Sequence, residues 1–106
     1  MHRITIQYAV PADSDGFDAH YRGVHVPLAS RLPGLRRFAL SHARALGPGE
    51  APYLVAELWF DDADAMKAGL KSPEMAAAVA DAEHMRTTFG VPGITMFTGA
   101  VEESPA

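Results

Sequence analysis

The feature of this sequence that most restricts its fold is a series of four short segments in which apolar and polar residues alternate. Alternation with a period of two is typical of β-strands that are buried on one face only. Stretches with helical spacing separate the outer pairs of segments, and a loop rich in Gly and Pro separates the middle pair. The predicted strands cover residues 3–9, 35–43, 53–60 and 94–101. The order βαββαβ predicts the split βαβ arrangement of the α+β class, with one four-stranded antiparallel sheet and both helices on one face.

Capping residues and a proline divide the helical stretches. Acidic residues around Asp15 suit a helix N-terminus, and an apolar stripe continues from there with spacings of three and four. Pro27 lacks a backbone N–H and disfavours α geometry in the residue before it. The first helix is therefore predicted to consist of two pieces that meet at residues 25–27. Asp62 and Ser72 are the predicted N-caps of two later helices.

Length and composition limit the classes of protein to which the chain can belong. With 106 residues, 48% of them hydrophobic, it is predicted to be a single domain over residues 1–106. A formal net charge of −4 provides no field that would attract nucleic acid or anionic lipid. The lack of cysteine excludes thiolate catalysis, disulfides and thiolate metal ligands. The sequence has no run of about 18 apolar residues and no signal-peptide layout, so we expect no membrane partner and a cytoplasmic location.

The sheet face opposite the helices is predicted to need a cover. Alternation in the second and third strands places large apolar side chains together on this face, namely Phe38, Leu40, Tyr53, Val55 and Trp59. An exposed patch of this kind indicates an interaction surface. We therefore predict a homodimer in which two such faces meet and enclose a cavity.

Three segments resemble the EthD family, which is named for ethyl tert-butyl ether degradation. They are residues 20–29 (HYRGVHVPLA), 32–38 (LPGLRRF) and 56–61 (AELWFD), in the order and spacing of that family. The resemblance extends from the first strand to the last and implies a dimeric α+β barrel of ferredoxin-like protomers. Proteins of this fold include cofactor-free isomerases of the muconolactone type, small monooxygenases, polyketide-type cyclases and haem-degrading enzymes. A shared fold is only an analogy for chemistry.

His25 is the leading candidate for catalysis. It lies at the end of the first helical piece, where free carbonyls and the negative end of the helix dipole would raise its pKa. In the resembling family, the matching histidine points toward the pocket between helix and sheet. Tyr21, four residues earlier, could orient the imidazole or bind a substrate oxygen. The alternative is structural, with His25 bonding a free carbonyl and Tyr21 packing in the core.

Two further polar residues are candidates because they occupy the same predicted face as the apolar patch. His42 and Glu57 would need a partner or a purpose there, either in catalysis or as a hydrogen-bonded pair that holds the dimer together. The residues predicted to bind the substrate are Phe38, Leu40, Tyr53 and Trp59, with plain packing as the alternative.

Other polar residues are weaker candidates for the site. His20, Asp81 and His84 are expected on solvated helix surfaces, and Tyr8 is expected under the helices. His20 and His25 are five residues apart and diverge on an α-helix, so they form no metal-ligand pair. No nucleotide-binding motif occurs. We therefore predict neither a metal nor a cofactor.

These residues support a cofactor-independent enzyme that acts by His-centred acid–base chemistry on an oxygenated, mostly apolar metabolite. Isomerisation, cyclisation and oxygenation through an enolate all need one base and one donor for the developing oxyanion. A non-catalytic dimer that binds a hydrophobic small molecule is the alternative. A haem protein with a histidine axial ligand is a third hypothesis.

Overall fold

One antiparallel sheet with helices on one face forms the fold of residues 1–105, the part of the chain that the computed structural model describes. The strands are β1 (His2–Tyr8), β2 (Arg37–Ser41), β3 (Leu54–Phe60) and β4 (Ile94–Ala100), and the helices are α1 (Ser14–His20), α2 (Val26–Ala29), α3 (Ala63–Leu70) and α4 (Pro73–Thr88). The strand order is β2-β3-β1-β4. The predicted α+β class and the order of its strands and helices are confirmed.

The helices begin at side-chain caps. Asp62 and Ser72 cap α3 and α4 as predicted, each accepting a hydrogen bond from a backbone N–H three residues later, at 2.8 Å and 3.1 Å. α1 begins at Ser14, next to the start predicted near Asp15, and its cap is Asp13. A π-helical turn, Tyr21–His25, joins α1 to α2 without a break in the helical path. Within residues 1–105, no helix is long and apolar enough to cross a membrane.

The register of β2 against β3 corrects the prediction for the two sheet faces. Phe38 lies opposite Leu58, and Leu40 lies opposite Ala56. Directly opposed residues of antiparallel strands project to the same face. Leu58 and Ala56 are buried in the core. Phe38 and Leu40 therefore face the helices, and their predicted place on the open face is wrong. Alternation shows which residues of one strand share a face, whereas the register between strands decides which face meets the helices.

Charged side chains occupy much of the open face. The guanidinium groups of Arg3 and Arg37 lie 5.5 Å and 5.3 Å from the ring centre of Trp59. Arg3 also pairs with Glu57 at 3.3 Å. Trp59 and Val55 do lie on this face, as predicted, since they alternate with the buried residues of β3. The open face thus presents an indole between two guanidinium groups. The described strands lack the continuous apolar patch that was predicted there.

Gly90 ends α4 in the left-handed conformation, with φ of +65°. The N–H of Val91 closes the end of the helix by bonding the carbonyl of Arg86 at 3.0 Å. A Cβ on Gly90 would lie 2.8 Å from the Cβ of Ala12. We expect Gly90→Ala to lower the free energy of unfolding by about 2 kcal/mol, because left-handed strain and crowding add.

Urea unfolding measures this effect, and a second glycine provides the control. A Cβ on Gly93 would meet no atom within 4 Å, and its φ is not positive. Gly93→Ala should therefore change the free energy of unfolding by less than about 0.5 kcal/mol. Equal losses in the two variants would contradict the expected strain at Gly90.

Candidate functional site

A cavity of about 360 Å³ lies between the sheet and the helical layer. Most of its lining is apolar and comes from β1, β3, β4, α2 and α4, including Ile6, Leu58, Met75, Ala78 and Ile94. His25 and Tyr8 are the buried polar residues of its wall. Glu83 and Arg86 also line it and are exposed, so they mark its solvent end. They pair with each other through Arg86 Nε and Glu83 Oε2 at 2.9 Å. An apolar cleft with few convergent polar groups is typical of small-molecule sites.

The π-helical turn brings His25 to this cavity. In it, the N–H of Val26 bonds the carbonyl of Tyr21, five residues earlier. Pro27 has no N–H to donate and its ring crowds the carbonyl of Gly23, so the helix widens at this point. The predicted division near residues 25–27 is therefore a wide turn within one helical path. Such turns are frequent at functional sites.

The carboxylate of Asp81 on α4 holds the imidazole of His25. The distance from His25 Nδ1 to Asp81 Oδ2 is 2.9 Å, and both side chains are largely buried. A carboxylate only accepts hydrogen bonds, so Nδ1 carries the proton in the neutral ring. Among residues 1–105, no protein group bonds Nε2. The ring thus keeps a basic nitrogen without a protein partner while it forms part of the cavity wall.

Burial lowers the pKa of His25 below 6.5, and the hydrogen bond to Asp81 opposes this shift without reversing it. The predicted raised pKa is wrong because the helical path continues into α2, so His25 meets no free helix end, and because its side chain is buried. For Asp81, burial acts to raise the pKa, but hydrogen bonds from His20 and His25 outweigh it and lower the pKa of the carboxyl. At neutral pH the site therefore pairs a carboxylate with a neutral His25.

An NMR titration of the histidine side chains should show a midpoint for His25 below 6.5. Because the pKa of His25 is lower in the folded than in the unfolded chain, the unfolded chain binds more protons in this pH range. The contribution of His25 to the free energy of unfolding is therefore present above about pH 6.5 and decreases as the pH falls toward the folded-state pKa. The His25→Gln variant, which lacks one of the five histidine signals, assigns the resonance. A midpoint at or above 6.5 would contradict the account.

Two tyrosines extend the site beyond His25. The ring centre of Tyr21 lies 5.0 Å from that of His25 and 5.4 Å from that of Tyr8. The Tyr21 hydroxyl is buried without a hydrogen-bond partner among residues 1–105. Burial raises the pKa of Tyr8 to about 12, and burial also raises that of Tyr21. Both phenols keep their protons at neutral pH and can act as donors.

The structure places the other predicted catalytic residues away from this cavity. His42 is exposed and lies near Arg22, with 3.5 Å between His42 Nε2 and Arg22 Nη2. Glu57 lies on the open face with Arg3. Glu57 shares the open face with Trp59, as predicted, whereas the predicted place of His42 on that face is wrong, because His42 lies next to Arg22 of the helical layer. The predicted pair of His42 and Glu57 therefore does not form.

The predicted substrate-binding residues are also dispersed. Phe38 and Leu40 line a separate hollow of about 160 Å³ under α2. Tyr53 turns toward the helices, where its hydroxyl donates to Asp18 Oδ2 at 2.7 Å, so its predicted place on the open face is wrong. Trp59 stays on the open face. The register and the turn before β3 place these side chains in three different environments.

Sequence reasoning missed Asp81 and His20 and gave Tyr8 only a minor role, although Tyr8 lies under the helices as predicted. His20 Nε2 lies 2.8 Å from Asp81 Oδ1, so both histidines share one carboxylate. The prediction that Asp81 and His20 are solvated surface residues is wrong, because the two side chains meet where the helices pack together. The predicted divergence of His20 and His25 assumed α-helical spacing over five residues. A turn with i→i+5 bonding instead returns residue i+5 to nearly the same side as residue i. The one feature of the sequence that indicated a wide turn was Pro27, whose ring crowds the carbonyl of Gly23 four residues earlier.

Comparison with known proteins assigns the family. The EthD domain matches residues 11–87. The chain belongs to the EthD family. It is also 37% identical over 97 residues to an uncharacterized 11.0 kDa protein from the thcB–thcC intergenic region of Rhodococcus erythropolis, covering 91% of this chain and 90% of that protein.

Solved structures share the fold. An EthD family protein from Bacillus halodurans superposes with a TM-score of 0.82 at 28% identity, over 96% of this chain and 99% of that one. SnoaB, a cofactor-independent oxygenase from Streptomyces nogalater, gives 0.69 at 16% identity, over 97% and 94%. A dimeric ferredoxin-like protein of unknown function from Thermobifida fusca gives 0.69 at 15% identity, over 94% and 90%. The last two show likeness of fold alone.

Proposed function

We propose that this protein is a cofactor-independent enzyme that uses His25 for acid–base chemistry on an oxygenated, mostly apolar small molecule. One observation carries the proposal: Asp81 holds Nδ1 of a buried, cavity-lining histidine and leaves Nε2 without a protein partner. In this arrangement the carboxylate fixes the tautomer, and Nε2 is free to take a proton. The fold that this chain shares with a cofactor-independent oxygenase supports the same class of chemistry by analogy.

The first step is removal of a proton from carbon. Nε2 of His25 takes a proton from the carbon next to a ligand carbonyl, and the electron pair of the C–H bond moves onto the carbonyl oxygen. The neutral phenol of Tyr8, on the same cavity wall, can donate a hydrogen bond to that oxygen. Return of the proton from His25 to another carbon completes an isomerisation. Cyclisation or reaction with oxygen would begin from the same enolate.

The cavity wall supports a ligand with a large apolar part and few polar atoms. Aliphatic side chains dominate the lining, and the two charged lining residues, Glu83 and Arg86, are paired with each other. An unpaired charge on the ligand would lose its hydration in such surroundings. Lactones, phenols and polyketide-like rings fit this description.

Binding and turnover of a panel of such compounds test the proposal. Wild-type protein should convert at least one compound, and His25→Ala should still bind it while turnover falls by about 100-fold or more. His42→Ala is a matched control, because His42 is exposed and does not line the cavity. If the wild type binds compounds but converts none of them, and His25→Ala binds them equally well, the non-catalytic binding protein would be favoured instead.

We also propose that the protein forms a homodimer through the open sheet face. The similar protein from Thermobifida fusca is dimeric. On the open face, Trp59 is half-buried and its Nε1 has no partner among residues 1–105. A second face would cover the exposed part of the indole. Light scattering at micromolar concentration should give twice the 11.3 kDa of one chain, and a monomer would contradict the proposal.

A further inference from the structure

We propose that His20 is a positioning residue, which binds the second carboxylate oxygen of Asp81 and thereby fixes the tautomer of His25. This inference rests on the proposed function, since it concerns the base of that site. His20 does not line the cavity, so it would act only through Asp81.

The carboxylate of Asp81 lies between two imidazoles. His20 Nε2 is 2.8 Å from Oδ1, and His25 Nδ1 is 2.9 Å from Oδ2. Because both oxygens only accept, each of the two facing ring nitrogens carries a proton. The terminal torsion of an aspartate is broad, so one hydrogen bond would leave the carboxylate free to turn. Two hydrogen bonds on different oxygens hold it in one orientation, with Oδ2 facing His25.

Neighbouring rings hold His20 in place. Its ring centre lies 5.3 Å from that of His84 and 5.5 Å from that of Phe89, both at the end of α4. The exposed fractions of the side chains decrease inward, from 18% for His20 to 11% for Asp81 and 5% for His25. His20 thus shields the outer side of the carboxylate, where water would otherwise compete for Oδ1.

The π-helical turn makes this geometry possible. His20 and His25 are five residues apart, and in a continuous α-helix they would point to different sides. The i→i+5 bond between Val26 and Tyr21 brings them to the same carboxylate. The same wide turn that directs His25 to the cavity therefore also brings His20 to the carboxylate that binds His25.

Nitrogen NMR of histidine-labelled protein without ligand tests this proposal. At about pH 8, where imidazole is neutral, wild-type His25 should show the Nδ1–H tautomer alone. His20→Phe keeps a ring against His84 and Phe89 but has no donor, and a second set of His25 nitrogen signals, from the Nε2–H tautomer, should appear. His20→Gln can still donate to Oδ1 and should restore the wild-type pattern. His20→Ala provides a second variant without a donor if His20→Phe does not fold.

His42→Ala is the matched control, because His42 is exposed and lies near Arg22, where it bonds neither His20 nor Asp81. It should leave the tautomer of His25 unchanged. A wild-type tautomer in His20→Phe and His20→Ala would overturn the proposal, and so would a change that His20→Gln does not reverse. Since the spectra need no substrate, this result is separate from the turnover test of the proposed function.

Discussion

Asp81→Asn is expected to lower proton transfer by the site at least about 100-fold while the fold stays intact. The carboxylate accepts from both His20 Nε2 and His25 Nδ1. An asparagine offers one acceptor oxygen and one NH2 group, so it can satisfy only one ring in its present tautomer. Where the NH2 group faces His25, Nδ1 must accept, and the ring proton moves to Nε2. The cavity then loses its base.

The expected loss can be measured as the rate at which a bound carbon acid exchanges its proton with D2O. Asp64→Asn is the matched control, since Asp64 is exposed in the first turn of α3 and far from the cavity lining. Its exchange rate should stay within about twofold of the wild type. A similarly small change in Asp81→Asn would mean that the carboxylate does not set the state of His25.

Phe17→Ala is expected to lower the free energy of unfolding by about 4 kcal/mol. Phe17 is fully buried. Its ring centre lies 5.5 Å from that of Tyr8, 5.6 Å from that of Tyr21 and 6.0 Å from that of Tyr53. Removal of the ring leaves a void between α1 and the sheet, and aromatic packing is lost in addition to buried area. This effect is large relative to the total stability of a domain of this size.

Urea unfolding at one fixed protein concentration measures the loss, because the proposed dimer would make stability depend on concentration. Val24→Ala is the control in the same helical path, since Val24 is 43% exposed. It should change the free energy of unfolding by less than about 0.5 kcal/mol. A loss below about 2 kcal/mol in Phe17→Ala would contradict the packing described for the aromatic core.

Local signals in the sequence predicted the order and the ends of most helices and strands. Asp62 and Ser72 cap their helices because a short side chain before a helix satisfies a free N–H regardless of what packs around it. The faces of β2 were harder to predict. Phe38 and Leu40 lie on one face of β2, and small residues lie on the other. Only the pairing of Phe38 with Leu58 and of Leu40 with Ala56 determines which face meets the helices.

The site was predictable only in part. His25 stands out beside Pro27 in the sequence, and its position on the cavity wall follows from the helical path. Asp81 lies 56 residues further along the chain, and nothing in the local pattern distinguishes it from a solvated acid. His20 was assigned to the wrong side because a π turn changes the angular spacing that sequence reasoning assumes. The hydrogen bonds of Asp81 with the two histidines depend on tertiary contacts and on a π-helical turn, and the spacing of apolar residues along the sequence predicts neither.

Exchange of carbon-bound protons with D2O tests directly whether His25 is the base that removes a proton from the ligand. Lactones and cyclic ketones that bind the protein would be incubated with it in D2O, and the signal of the proton next to the carbonyl would be followed by NMR. Wild-type protein should accelerate this exchange, and His25→Ala should slow it by about 100-fold or more while ligand binding persists. Equal exchange rates in the wild type and His25→Ala, with the ligand bound to both, would contradict the role of His25 as the base.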